Sequence, residues 1–91
     1  MQFEWDKHKA KSNLKKHKIS FDEAATVFFD SLSATFNDYD HSFEERRFIT
    51  AGYSYDNRLV IVSHADKGNK IRIISARLAT KNERKRHENK N

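Results

Sequence analysis

The chain reads as one small α+β domain: an antiparallel sheet of about four strands, two helices before it and one after, in the order β-α-α-β-β-β-β-α. Three observations carry this reading. Ser20-x-x-Glu23 and Thr80-x-x-Glu83 are capping boxes that mark helix starts near either end. Strand-like runs between residues 45 and 77 are joined by two turn signals, Asp56-Asn57 and Asp66-Lys67-Gly68-Asn69, which makes an antiparallel meander. The 91 residues suffice for a single domain spanning 1–91 and no more.

Each element has a local reason. Phe3 and Trp5 alternate with Gln2 and Glu4, the period of a short strand, and Trp5 is expected to pack. Asp6 suits a helix N-cap, and the unbroken KHKAKSNLKKHK after it offers only a thin apolar stripe, Ala10 and Leu14. Lys18 interrupts. Ser20 then caps a second helix, with Ile19 and Ala24 at staple positions and Phe21, Ala24, Ala25 and Phe28 on one face, ending near Asp30. Ser33 to Asp38 is a short extended piece and 37–42 a polar loop. Glu45–Tyr53, Leu59–Val62 and Lys70–Arg77 are strands, the middle one central because it is continuously apolar. Thr80 caps the last helix, and residues 87–91 are expected to fray.

There is no cysteine, so disulfides and thiolate metal sites are excluded. Two glycines cannot build a phosphate loop or dinucleotide fingerprint. The five histidines (His8, His17, His41, His64, His87) show no metal-binding spacing, so no metal and no cofactor are expected. No apolar run approaches a membrane span and no secretion signal opens the chain, which gives a cytoplasmic expectation. The net charge is +5. Residues 1–20 hold six Lys against Glu4 and Asp6, residues 21–66 three Arg against nine acids, and residues 67–91 nine Lys or Arg against Glu83 and Glu88. Basic ends that meet in the fold would make one positive face.

With no metal motif and no serine elbow, the residues that remain are a kit suited to metal-free RNA cleavage by the substrate's own 2′-hydroxyl. That reaction needs a proton taken, a proton given, and charge stabilised on an in-line phosphorane. Guanidinium forks match phosphate oxygens, which makes Arg77, Arg72, Arg46 and Arg47 candidates. Acid and base candidates are Glu44, Glu45, His41, His17, Lys16 and His87. A histidine, with an ordinary pKa of about 6.5, suits proton transfer better than a glutamate at about 4.3. Lys16, His17, Lys81 and Arg84 are candidate RNA contacts. On strict alternation Arg72 and Arg77 face opposite sides of their strand unless the chain departs from regularity between them.

The chain resembles the BrnT family, toxins of type II toxin–antitoxin operons. The likeness lies in Phe3-x-Trp5-Asp6 with Lys9 and Asn13, Lys16-His17, Ile19-Ser20-Phe21-x-Glu23-Ala24, and Phe28-Phe29-Asp30. It continues in the segment HSFEERRF (41–48), in Ile71-Arg72-Ile73-Ile74-Ser75-Ala76-Arg77, and in Ala79-Thr80 with Glu83-Arg84. The resemblance implies a fold similar to RelE-type ribonuclease toxins and a metal-independent endoribonuclease that arrests translation. It also implies a BrnA-like antitoxin with a ribbon-helix-helix domain, a heterotetrameric complex, and operator DNA bound only through the antitoxin. Arg77, Arg46, Glu45, Arg72 and His41 are the expected catalytic set, and the antitoxin is expected over a face carrying Lys16, Arg46 and Arg77. By the same resemblance, His87 stands near the C-terminus where many family members carry tyrosine. Two other functions compete: a basic module that binds RNA or an acidic partner without cleaving, and a subunit used mainly in an operon repressor complex.

Overall fold

The computed structural model describes residues 1–43 and 45–89. Eight elements follow in order: β1 (Gln2–Glu4), α1 (Lys7–His17), α2 (Phe21–Thr26), β2 (Ala34–Asn37), β3 (Arg47–Tyr53), β4 (Leu59–Lys67), β5 (Lys70–Leu78) and α3 (Lys81–Glu88). Short 3-10 turns at Val27–Phe29 and Tyr39–His41 complete the chain. The sheet has five strands in the order β1-β5-β4-β3-β2. The expected antiparallel sheet of about four strands is therefore corrected. β2 to β5 are antiparallel, but β1 adds a fifth strand parallel to β5. The first and last strands become neighbours because Phe3 packs its ring on Phe28 and Phe29, at 5.5 and 6.3 Å.

Local chemistry accounts for the element ends. The Asp6 carboxylate accepts from the N–H groups of His8 and Lys9 and caps α1. Lys18 closes that helix in the left-handed conformation, φ 61°. Thr80 and Glu83 form the complete capping box of α3. The Ser20 box is only half made. Ser20 Oγ accepts from Glu23 N–H, but the Glu23 carboxylate turns away into the protein. There it accepts from Ser54 Oγ at 2.6 Å and from Arg58 Nε at 2.9 Å, and Arg58 Nη2 reaches it as well. The Arg58 guanidinium, aided by Ser54, holds the Glu23 carboxyl below its usual range, so this half-buried pair ties α2 to the β3–β4 hairpin. The hairpin turn uses Asn57 at φ 61°, and the next turn Gly68 at φ 67°. α3 continues through Glu88, into the stretch expected to fray. Tyr53 Oη donates to Glu88 at 3.1 Å and the His87 ring meets Tyr53 edge-on. Residues 90 and 91 lie outside the described residues.

α1 and α2 cover one face of the sheet. Ile19, Phe21, Ala24 and Val27 meet Val60, Val62, Ile73 and Ala76 in the core, with Phe3, Trp5 and Phe28 at its margin. Asn13 is the polar keystone. β1 ends beside Arg72, so the β5 edge beyond it lacks a strand partner. The Asn13 carboxamide takes that place. It donates to Ala76 C=O at 2.8 Å and to Ile19 C=O at 3.0 Å, and accepts from Ala76 N–H at 3.0 Å. The other face of the sheet is crossed at one end by α3 and is otherwise open.

Candidate active site

A β-bulge organises the open face. Ser63 pairs with Ser75, but His64 pairs with Ile73, so Ile74 is an extra residue on β5. Strict alternation would put Arg72 and Arg77 on opposite faces; the extra residue brings them to the same one. The register shows this directly, because Arg72 lies opposite Ala65 and Arg77 opposite Ile61, four positions apart on β4. Arg47 on β3 also pairs with Ala65. The row Arg47–Ala65–Arg72 thus sets two guanidinium stems on either side of a small, buried floor residue.

Glu45 stands at the centre of this row. Its Oε1 accepts from Arg72 Nη2 and lies 3.6 Å from Arg47 Nε, while Oε2 lies 2.7 Å from Lys67 Nζ. The Lys67 ammonium and the Arg72 guanidinium hold the Glu45 carboxyl below its usual range, so it is ionised at neutral pH. Three cations on one carboxylate leave an excess of positive charge. The Arg47 Nε is buried without a hydrogen-bond partner among the described residues. These residues line a cleft of about 660 Å³ together with His41 and Phe43. His41 Nδ1 lies 3.0 Å from the Asp38 carboxylate, an arrangement that orients the ring and leaves Nε2 unassigned.

Arg77 is held differently. Its Nη1 and Nη2 donate to Glu83 Oε1 and Oε2 at 2.7 and 3.0 Å, a fork-to-fork pair that joins β5 to α3. The same Glu83 accepts from Thr80 N–H in the capping box at 2.9 Å. Arg77 first, then the Thr80 bond, lower the Glu83 pKa to about 2. Beside this pair, Phe36, Ile49 and Ile61 and the α3 residue His87 line a more apolar groove.

The structure brings together Glu45, Arg72 and His41 of the expected catalytic set. Arg77 shares their face, five residues along β5 beyond the Ile74 bulge. Arg46 is not in the cluster. It is exposed just before β3 and lines an adjoining cleft with Asn37, Tyr39 and Ser42, which shares Phe43 and Glu45 with the first. Lys16, exposed on α1, and His17 lie in the layer opposite Arg77, so the basic ends do not make one continuous face. Lys81 and Arg84 are exposed on α3. Glu44 lies outside the described residues. Sequence reasoning missed Lys67 and Asp38 and left Arg47 in second place. The alternation of β3 carried the signal for Arg47, but Lys67 read as a turn residue and Asp38 as loop. Among the described residues no three His, Asp or Glu side chains converge as metal ligands. Among them also, no helix is long and apolar enough to cross a membrane.

Comparison with known proteins agrees with this architecture. The chain is similar in fold to the crystal structure of the Brucella abortus ribonuclease toxin BrnT, determined at 1.1 Å resolution. The TM-score is 0.68 at 20% identity, over 89% of this chain and 99% of that one. No curated protein matches the chain. The family described as "Ribonuclease toxin, BrnT, of type II toxin-antitoxin system" matches residues 5–83, which takes in every element from α1 to β5 and the start of α3. The chain therefore belongs to the BrnT family of ribonuclease toxins of type II toxin–antitoxin systems.

Proposed function

We propose that this chain is an endoribonuclease whose cleavage centre is the Glu45 cleft and whose nucleophile is the substrate's 2′-hydroxyl. One observation carries the reading: Arg47, Lys67 and Arg72 converge on a single ionised carboxylate in an open cleft that also holds a carboxylate-oriented histidine. In the reaction, the incoming phosphate draws Lys67 and Arg72 away from Glu45, which restores the basicity their pairing suppresses. Glu45 then takes the 2′-hydroxyl proton and the 2′-oxygen attacks the adjacent phosphorus in line. Arg72, Arg47 and Lys67 stabilise the charge on the phosphorane oxygens. His41, held through Nδ1 by Asp38, gives a proton from Nε2 to the departing 5′-oxygen. The products are a 2′,3′-cyclic phosphate, or its hydrolysis product, and a 5′-hydroxyl. Arg77 departs from its expected role at the phosphorane. With its fork engaged by Glu83, it holds a neighbouring phosphate through its remaining N–H groups. The protein's own cations supply the charge stabilisation, so the activity is metal-independent.

The family description supports an antitoxin partner. We take it to be BrnA-like, with a ribbon-helix-helix domain, in a heterotetramer that reaches operator DNA through the antitoxin and acts in the cytoplasm. A non-catalytic RNA- or antitoxin-binding subunit of the repressor complex is the second reading, and one observation favours it: both Arg77 and Glu45 are already ion-paired in the free chain. Cleavage of single-stranded RNA by wild type, Glu45→Gln, Arg72→Ala and Arg77→Ala, with and without EDTA, separates the two. The proposal expects EDTA-resistant cleavage. It expects losses of about 100-fold or more for Glu45→Gln, as for removal of a general base, and for Arg72→Ala, as for removal of an oxyanion-type donor, and a smaller loss for Arg77→Ala. Absence of cleavage by the folded wild type moves the protein to the second reading.

A further inference from the structure

The loop between β2 and β3 presents two aromatic rings beside the cationic cleft. Phe43 is 89% exposed, the most of any large apolar side chain among the described residues, and Tyr39 is 78% exposed. Leaving a phenyl ring in water forfeits about 25 cal/mol for every Å² that burial would have removed. The neck of the loop is nevertheless well built. Asp38 N–H donates to Arg47 C=O at 2.9 Å and His41 N–H to Asp38 C=O at 3.2 Å. Ser42 Oγ donates to Asp38 C=O at 2.7 Å and accepts from Arg47 N–H at 3.0 Å. These bonds fix the neck and leave Phe43 at its outer lip.

Phe43 stands between two clefts. Glu45 lines both; on one side are Arg47, Lys67 and Arg72, and on the other Arg46 and Tyr39. An apolar protein partner would look for a continuous apolar patch, and the lining around this ring is charged or polar. A π-face among guanidinium groups matches an unpaired nucleotide, whose base stacks while its phosphates meet the cations.

We propose that Phe43, with Tyr39 beside it, is a base-stacking platform for single-stranded RNA and seats the nucleotide next to the phosphate held by Arg47 and Arg72. The inference rests on the ribonuclease reading and extends it to a substrate class: unpaired RNA, bound without strong sequence preference because every base has a π-face. A duplex, whose bases are stacked on one another, offers nothing to this ring.

The test uses the full chain and a single-stranded 2′-O-methyl oligonucleotide carrying 2-aminopurine, which lacks the nucleophile and so reports binding without cleavage. Wild type should quench the 2-aminopurine. Phe43→Ala should bind about tenfold more weakly (~1.4 kcal/mol, the lower part of the range for one base–aromatic stack) and lose the quench, with an unchanged salt dependence. Phe43→Trp should restore both. A ring this exposed has no packing role, so all variants should melt like wild type. The proposal is overturned if Phe43→Ala binds and quenches as wild type does, or if it retains RNA binding but loses an antitoxin peptide instead. The two readings fail separately. Wild type that cleaves RNA, with Phe43→Ala equal to it in KM and kcat, removes the platform and keeps the ribonuclease. Wild type that quenches the probe but cleaves no RNA keeps the platform and removes the ribonuclease.

Discussion

Replacing Glu83 by glutamine isolates the ion pair that fixes Arg77, because glutamine can still complete the capping box with Thr80. The depression of the Glu83 pKa from 4.5 to about 2 sets a ceiling on the pair: ~3.4 kcal/mol at 1.36 kcal/mol per pH unit. The Arg77 side chain is 43% exposed, so solvent screening cuts this sharply. The measured range for exposed pairs brings the expected loss to about 1 kcal/mol at pH 7. In a domain of this size that is about 4–8 °C in Tm. The sign with pH follows from the lowered folded-state pKa. The stabilisation is complete above the unfolded value of 4.5 and disappears as pH falls toward about 2. Thermal melts of wild type and Glu83→Gln from pH 7 down to pH 2 should therefore converge, and 1 M salt at pH 7 should shrink the gap. Glu83→Ala, which also opens the cap, should lose roughly a further 1 kcal/mol. Equal melting of wild type and Glu83→Gln at pH 7, or a gap unchanged at pH 2, would refute the reasoning.

Asn13→Ala should cost about 2–4 kcal/mol in urea unfolding, because it strands the buried N–H and C=O of Ala76 and the C=O of Ile19; a loss under 1 kcal/mol would contradict the edge-strand role. Asn13→Asp should not rescue it, since a carboxylate cannot donate to the two carbonyls. His64 is buried between Phe28 and Phe48, with Nε2 2.8 Å from Thr50 Oγ1 and Nδ1 3.6 Å from the Asp66 carboxylate, without a hydrogen bond among the described residues. Burial lowers its pKa against the opposing pull of Asp66, so protonation favours the unfolded chain, and its contribution to stability should fall as pH drops below 6.5. A variant with a non-titrating side chain there, His64→Gln, should lose that part of the pH dependence in the same melts.

Much of the fold was legible because its signals are local. The Asp6 and Thr80 caps, the Asn57 and Gly68 turns and the apolar runs of β4 and β5 each act within a few residues. What escaped depends on partners far along the chain. The β1–β5 pairing needs the Phe3 contacts with Phe28 and Phe29, and Glu23 leaves its capping box only because Arg58 and Ser54 arrive from the hairpin. The site shows the same division. Arg72, Glu45 and His41 were visible as residue types suited to phosphate and proton chemistry. Their assembly was not, because one inserted residue, Ile74, decides whether Arg72 and Arg77 share a face, and no apolar pattern in Ile71–Ile74 announces a bulge. Lys67 joins the cluster only because β4 runs on past the apolar stretch that marked it, to the edge of the turn.

The central claim is that the Glu45 cleft cleaves RNA with the substrate's own 2′-hydroxyl. The most direct measurement is cleavage by wild-type protein of an end-labelled RNA and of the same RNA with a single 2′-deoxynucleotide immediately 5′ of the mapped scissile phosphate. The account predicts a 2′,3′-cyclic phosphate (or its hydrolysis product) and a 5′-hydroxyl from the first, and no cleavage at that site in the second. Unimpaired cleavage of the 2′-deoxy substrate, or products ending in 3′-hydroxyl and 5′-phosphate, would contradict it.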